Sequence, residues 1–163
     1  MMIKAGVITV SDKGSAGQRE DQSGPEVERI LKTIGIEVTR RAVIPDEIHQ
    51  IRDILVDFAD YQEIDLVVTT GGTGVAPRDV TPDATLGVID REVPGMAEAM
   101  RRESYLITPH ALISRAVVGI RGRTLIINLP GSPKGVRENL AVLLPALPHA
   151  IEKIKGDERE CAA

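Results

Sequence analysis

Short apolar runs alternate with amphipathic stretches along the whole chain. "IKAGVITV" (3–10) reads as an apolar strand, and "SDKGSAGQREDQ" after it as a polar loop. "SGPE" (23–26) has the Ser-x-x-Glu form of a capping box and opens a helix to about Ile34, stopped by Gly35. "EVTRRAVI" (37–44) alternates as a strand. From 45 to 61 the spacing puts Ile48, Ile51, Ile54, Leu55 and Phe58 on one helical face. "IDLVVTT" then reads as a buried strand. Thr81-Pro82 looks like an N-cap and first helical residue, for a helix to about Asp90. Pro94 opens another helix, to about Ser104. "RAVVGIRGRTLIINLPG" (115–131) predicts two strands about a tight Arg-Gly turn. Ser132-Pro133 starts a closing helix to about Ile154, which Pro145 and Pro148 should kink or break.

This alternation predicts an α/β domain with a mostly parallel sheet. In such sheets ligands sit beyond the carboxyl ends of the strands. Four predicted strand ends run into polar or glycine-rich loops: Ser11-Asp12, Pro45-Asp46, Thr69 to Gly74, and Asn128 to Ser132. If the strands are parallel, these loops gather on one edge.

Composition narrows the ligand. The length of 163 residues suits one domain, and 42% hydrophobic with 27% charged residues is an ordinary globular balance. A net charge of −4 argues against a nucleic-acid partner, and three aromatics (Phe58, Tyr61, Tyr105) offer little for base stacking. An anionic ligand would therefore need local dipoles, a few basic groups or a metal. No apolar run approaches the ~20 residues of a membrane span. The start is strand-like rather than a signal peptide, and the lone Cys161 can make no internal disulfide. A cytoplasmic location is expected.

"TTGGTGVAPRDVTPDAT" (69–85) carries the chemistry. Gly71, Gly72 and Gly74 permit positive φ and close backbone approach, so Thr69 to Gly74 could form a phosphate cradle or merely a tight turn. A dinucleotide fingerprint from Gly72 would need glycine where Pro77 stands. A P-loop would need lysine after Gly74 or Gly135, and neither has it. "NLPGSPKG" is a companion loop in which Gly131 gives close approach and Ser132-Pro133 starts a helix. Asp46 reads as an N-cap or a ligand, Asp79 as a cap, a solvated group or a ligand, and Asp12 as a turn residue or a ligand. Several carboxylates beside two phosphate-type loops point together to Mg²⁺, which prefers oxygen and retains waters. His49, His110 and His149 have no metal-ligand spacing.

"TTGGTG", "PRDVTPDAT", "ITPHALISR" and "GIRGRTLIINLPGSPKGVRENL" resemble the MogA-type molybdopterin adenylyltransferases over about residues 4–159. They are equally similar to the corresponding domains of plant molybdenum-cofactor proteins and gephyrin. The intact "RDVTPDAT" favours the adenylyltransferase branch over the MoaB-like branch. The resemblance implies a three-layer αβα fold of the molybdenum-cofactor-biosynthesis type. It implies one molybdopterin- and ATP-binding domain over 1–155, with a polar tail over 156–163. The implied reaction transfers AMP from ATP to the terminal phosphate of molybdopterin, with Mg²⁺, and releases pyrophosphate. The alternative is a pterin-binding MoaB-like module without that activity. By resemblance Asp46 and Asp79 are catalytic and hold Mg²⁺. Ser11, Asp12, Thr69, Gly71, Gly72, Thr73, Gly74, Ser104, Ser114, Asn128, Gly131 and Ser132 are expected to bind nucleotide or pterin. A homotrimer and a separate molybdate-insertion protein are also implied.

Overall fold

Three strands buried on both faces form the centre of the structure, a computed structural model that describes residues 2–161. They are β1 (Lys4–Val10), β3 (Leu66–Thr70) and β6 (Thr124–Leu129). With β2 (Glu37–Ile44), β4 (Arg91–Glu92) and β5 (Val118–Arg121) they make one sheet, in the order β2-β1-β3-β6-β5-β4. The first four are mutually parallel, while β5 runs antiparallel to both β6 and β4. Met1, Ala162 and Ala163, at the ends of the expected domain and tail, lie outside the described residues.

Alternate strand residues feed two hydrophobic layers, as the pleat requires. Val7, Leu66, Val68, Leu125 and Ile127 pack with α2 (Ser23–Lys32), α5 (Pro94–Tyr105), α6 (Pro133–Leu143) and α7 (Leu147–Ile154). Ile8, Val10, Val67 and Ile126 pack with α3 (Ile48–Val56) and α4 (Thr81–Leu86). The result is the expected three-layer αβα arrangement. Each fully buried Leu or Ile contributes about 1.5–3 kcal/mol of transfer free energy. A Cβ on Gly6 would fall 2.5 Å from the Phe58 ring, so the small residue in β1 is matched by the aromatic below it.

Several local expectations are corrected. The loop after β1 contains a one-turn helix, α1 (Asp12–Ser15), capped by Ser11, whose Oγ accepts from Gly14 N–H at 3.0 Å. The Ser23 capping box does not form. Ser23 Oγ donates to Gly131 O at 2.8 Å, and Asp21 takes over the local cap by accepting from Gly24 N–H at 3.0 Å. Helix α3 begins at Ile48 rather than Pro45 and gives way to a π-helical turn over Asp57–Tyr61. Thr81 is not an N-cap, because its hydroxyl donates to Gly71 O at 3.0 Å, and α4 ends at Leu86. The closing helix is broken over 144–146, where prolines deprive it of backbone donors. Strand β4 and a 3-10 turn at Pro109–Ile113 give no clear periodic signal and were not expected.

Candidate active site

The order of strand addition reverses between β1 and β3, with all four of these strands still parallel: β2 lies beyond β1 on one side, β3 and β6 on the other. The loops after these four parallel strands meet at that switch point, where α/β sheets bind ligands. Ladder bonds carry the pairing into the loops, from Ser11 N–H to Ile44 O (2.8 Å) and Gly71 N–H to Leu129 O (3.0 Å). Thr70 Oγ1 donates to Pro130 O at 2.6 Å and fixes the two glycine loops against each other.

The glycines are required by contacts inside the protein. Gly71 has φ +104°, and a Cβ there would sit 2.3 Å from Val10 O. Gly72 has φ +66°, and its Cβ would meet Thr81 Oγ1 at 2.5 Å and Asp46 Oδ1 at 3.0 Å. A Cβ on Gly74 would lie 2.8 Å from Asp79 Oδ2, and one on Gly131 3.2 Å from Gly71 Cα. Each of the two carboxylates thus abuts a different glycine of one loop.

Asp46 and Asp12 grip each other across the ends of β2 and β1. Asp12 N–H donates to Asp46 Oδ2 (2.9 Å) and Asp46 N–H to Asp12 Oδ1 (3.0 Å). Arg78, from the glycine loop, donates twice to Asp12 (2.7 and 3.0 Å) and once to Glu47 (2.8 Å). The hydrogen bonds from Arg78, then the Asp46 backbone, hold the Asp12 carboxyl below its usual range. Burial pushes Asp46 the other way, and the charges of Asp12 and Asp79 add to that rise. Asp79 is fixed by its own loop: Ala76 N–H donates to Asp79 Oδ2 at 3.0 Å, and Asp79 N–H to Ala76 O at 2.9 Å.

Asp46 and Asp79 face a cleft of about 600 Å³ whose lining also includes Ser11, Gly71, Gly72 and Gly131. Its charged lining is Glu20, Asp21, Asp46 and Asp79 against Arg19, an acidic excess. Ser132 also lines an adjoining pocket of about 360 Å³, with Thr73, Gly74, Ser104 and Ser114. Here Arg101 and Lys134 outweigh Glu138. Ser104 Oγ donates to Asn139 Oδ1 at 3.2 Å, and Asn139 Nδ2 donates to Gly135 O at 2.8 Å. Two unlike pockets therefore meet at the N-terminus of α6, one acidic and one basic.

Residues 6–149 match the family described as "Probable molybdopterin binding domain". The chain belongs to this family. It is 41% identical over 157 residues to a molybdopterin adenylyltransferase of Helicobacter pylori strain J99, covering 95% of this chain and 89% of that one. It is 46% identical to gephyrin of Dictyostelium discoideum, covering 93% of this chain but only 22% of the longer protein. Among solved structures it resembles the molybdopterin biosynthesis enzyme MoaB of Thermus thermophilus, with TM-score 0.91 and 49% identity, covering 96% and 98% of the two chains.

Most residues expected to form the molybdopterin-family site converge on these two pockets. Thr69 and Asn128 do not line either. Both are fully buried, and Asn128 spends its amide on Thr69 Oγ1 (3.0 Å), Thr85 Oγ1 (2.9 Å) and Val117 N–H (3.1 Å). They brace the loops from beneath. Asp12 lines neither pocket and meets the cleft through its hydrogen bonds with Asp46. Sequence reasoning missed Asp21 of the acidic cleft and Arg101 and Asn139 of the basic pocket. Asp21 accepts from Thr9 Oγ1 at 2.9 Å, a contact whose only signal is an acid just before a helix start. No group of three or more His, Cys, Asp or Glu among the described residues could hold a metal by itself.

Proposed function

We propose that this protein is a molybdopterin adenylyltransferase, which joins AMP from ATP to the terminal phosphate of molybdopterin and releases pyrophosphate. The observation that carries this reading is the paired pocket: an acidic cleft with two glycine-seated aspartates beside a basic pocket, sharing Ser132. The basic pocket suits the phosphate-bearing pterin. The acidic cleft repels a bare polyphosphate, so a nucleotide there calls for a cation.

The donor set fits Mg²⁺. Asp46 and Asp79 supply hard oxygens on one cleft, and Mg²⁺ is commonly held by one or two carboxylates with substrate phosphates and waters. When bound it would supply charge neutralisation on the phosphates. The chain's own part is positioning. The terminal phosphate oxygen of molybdopterin forms a bond to the α-phosphorus of ATP as the bond to the leaving pyrophosphate breaks. The phosphate nucleophile is already ionised near neutral pH, so no general base is assigned. Holding two polyanions in line accounts for the catalysis.

In this reading residues 1–155 are one substrate-binding domain and 156–163 a polar tail. The protein works in the cytoplasm as a homotrimer and passes its product to a separate molybdate-insertion protein. Exposed Leu106 and Leu112 (77% and 70%) support self-association. No described helix is long and apolar enough to cross a membrane. A pyrophosphate-release assay with molybdopterin and Mg-ATP tests the proposal. Pterin binding without pyrophosphate release would instead establish the binding-only module.

A further inference from the structure

Arg115 lies in the segment that links the 3-10 turn to β5; it lines neither pocket, yet its side chain reaches Gly74 of the basic pocket and Asp79 of the acidic cleft. Its backbone N–H donates to Thr73 O at 2.8 Å. Its Nε donates to Gly74 O at 2.8 Å, and Nη2 donates to Asp79 O. The guanidinium also meets both carboxylate oxygens of Asp83, in the first turn of α4, at 3.2 and 3.0 Å. Gly74 and Asp79 are the two ends of the loop that carries the Asp79 carboxylate. Inside that loop the Asp79 carboxylate is tied to Ala76 N–H. One side chain thus closes the loop at both ends and anchors it to a helix.

We propose that Arg115 is a positioning residue for the adenylyl-transfer reaction, a clamp that sets the place of the Asp79 carboxylate against the glycine loop. This rests on the adenylyltransferase reading. Only a planar fork with donors at fixed angles can serve two carbonyls and a carboxylate at once. Lysine keeps the charge and can still pair with Asp83, but it cannot span both loop ends. Arg115 also follows Ser114 directly, so its backbone borders the basic pocket while its side chain is committed to the Asp79 loop and α4.

Arg115→Lys should stay folded and lower kcat by about 10- to 100-fold, the range for sub-ångström to ångström misplacement. KM for molybdopterin should be little changed. Because Arg115 acts through Asp79, Asp79→Asn/Arg115→Lys should turn over no more slowly than Asp79→Asn alone. Amide exchange over residues 74–79 should speed up in Arg115→Lys while the strands stay protected. Parental kcat in Arg115→Lys, or fully additive losses in the double variant, would overturn the proposal. If the parent itself releases no pyrophosphate, the activity reading has failed. The exchange of residues 74–79 then decides the clamp alone: faster exchange upholds it and unchanged exchange overturns it.

Discussion

Gly74→Ala offers a direct test of whether the Asp79 carboxylate works from the place the loop gives it. Gly74 is not among the glycines at positive φ, so alanine fits the backbone. Its Cβ would lie 2.8 Å from Asp79 Oδ2. Restoring ordinary contact at 3.4 Å moves that oxygen by roughly 0.6 Å. The move weakens the hydrogen bond from Ala76 N–H, a loss of about 1 kcal/mol in an exposed loop. Replacing glycine offsets about 0.4–1 kcal/mol by restricting the unfolded chain. Stability should therefore stay within about 1 kcal/mol of the parent. Turnover should not, because an ångström of misplacement costs up to about 100-fold. The assay is pyrophosphate release at saturating molybdopterin and Mg-ATP, with thermal unfolding alongside. Saturation matters, since Gly74 also lines the basic pocket, and a steric effect there would appear in the molybdopterin KM. Gly95→Ala is the control, with nothing within 4 Å of its Cβ. A folded Gly74→Ala enzyme with the parent's kcat would refute the assignment of Asp79.

Gly72→Ala should fail differently. Positive φ costs roughly 1–2 kcal/mol, and displacing Thr81 Oγ1 from Gly71 O costs about 1 more, so urea unfolding should show a loss of about 2–3 kcal/mol. A loss under about 0.5 kcal/mol would mean the loop has another path. Asp79→Asn should cut pyrophosphate release by orders of magnitude while pterin titration stays parental; a parental rate would remove Asp79 from the chemistry. Asp46→Asn should also lose turnover yet match or exceed the parent in stability at neutral pH. Its amide oxygen can still accept from Asp12 N–H, while burial and two neighbouring aspartates make the native charge costly. Above the raised native pKa that cost is fully present, and it fades as pH falls through that value toward the ordinary 3.8. The stability gap between Asp46→Asn and the parent should therefore close on acidification, and a gap that widens instead would contradict the buried-charge account.

The parallel core was legible because strand and helix periods are local properties. β1, β3 and β6 carry continuous apolar runs, and α3 keeps its apolar stripe. Convergence of the four strand-end loops followed from the parallel sheet. The capping assignments failed for a physical reason. The hydroxyls of Ser23 and Thr81 each had a local and a distant partner, and the distant carbonyls won: Gly131 O across 108 residues and Gly71 O across 10. A sequence displays only the local contender. Arg115 escaped notice likewise, since its side-chain partners lie 32 to 41 residues away. Asp46 read locally as a cap or a ligand, and its hydrogen bonds are half of a reciprocal grip with Asp12, 34 residues distant.

The glycine-rich stretch posed a choice between phosphate cradle and tight turn, and the contacts show the tight turn together with a second use for it inside the protein. Gly71 and Gly72 are fixed by backbone geometry, since any side chain would strike Val10 O or Thr81 Oγ1. Gly72 and Gly74 also leave room for Asp46 and Asp79 respectively. A loop that must turn this tightly brings its backbone close to two carboxylates from separate segments. The demand of the turn thereby becomes the means of positioning the charge. Loss of function on replacing a glycine here is accordingly no proof of phosphate contact. Gly72 reports on the turn together with Asp46, Gly74 on the Asp79 carboxylate, and their different balance of stability against turnover separates the roles.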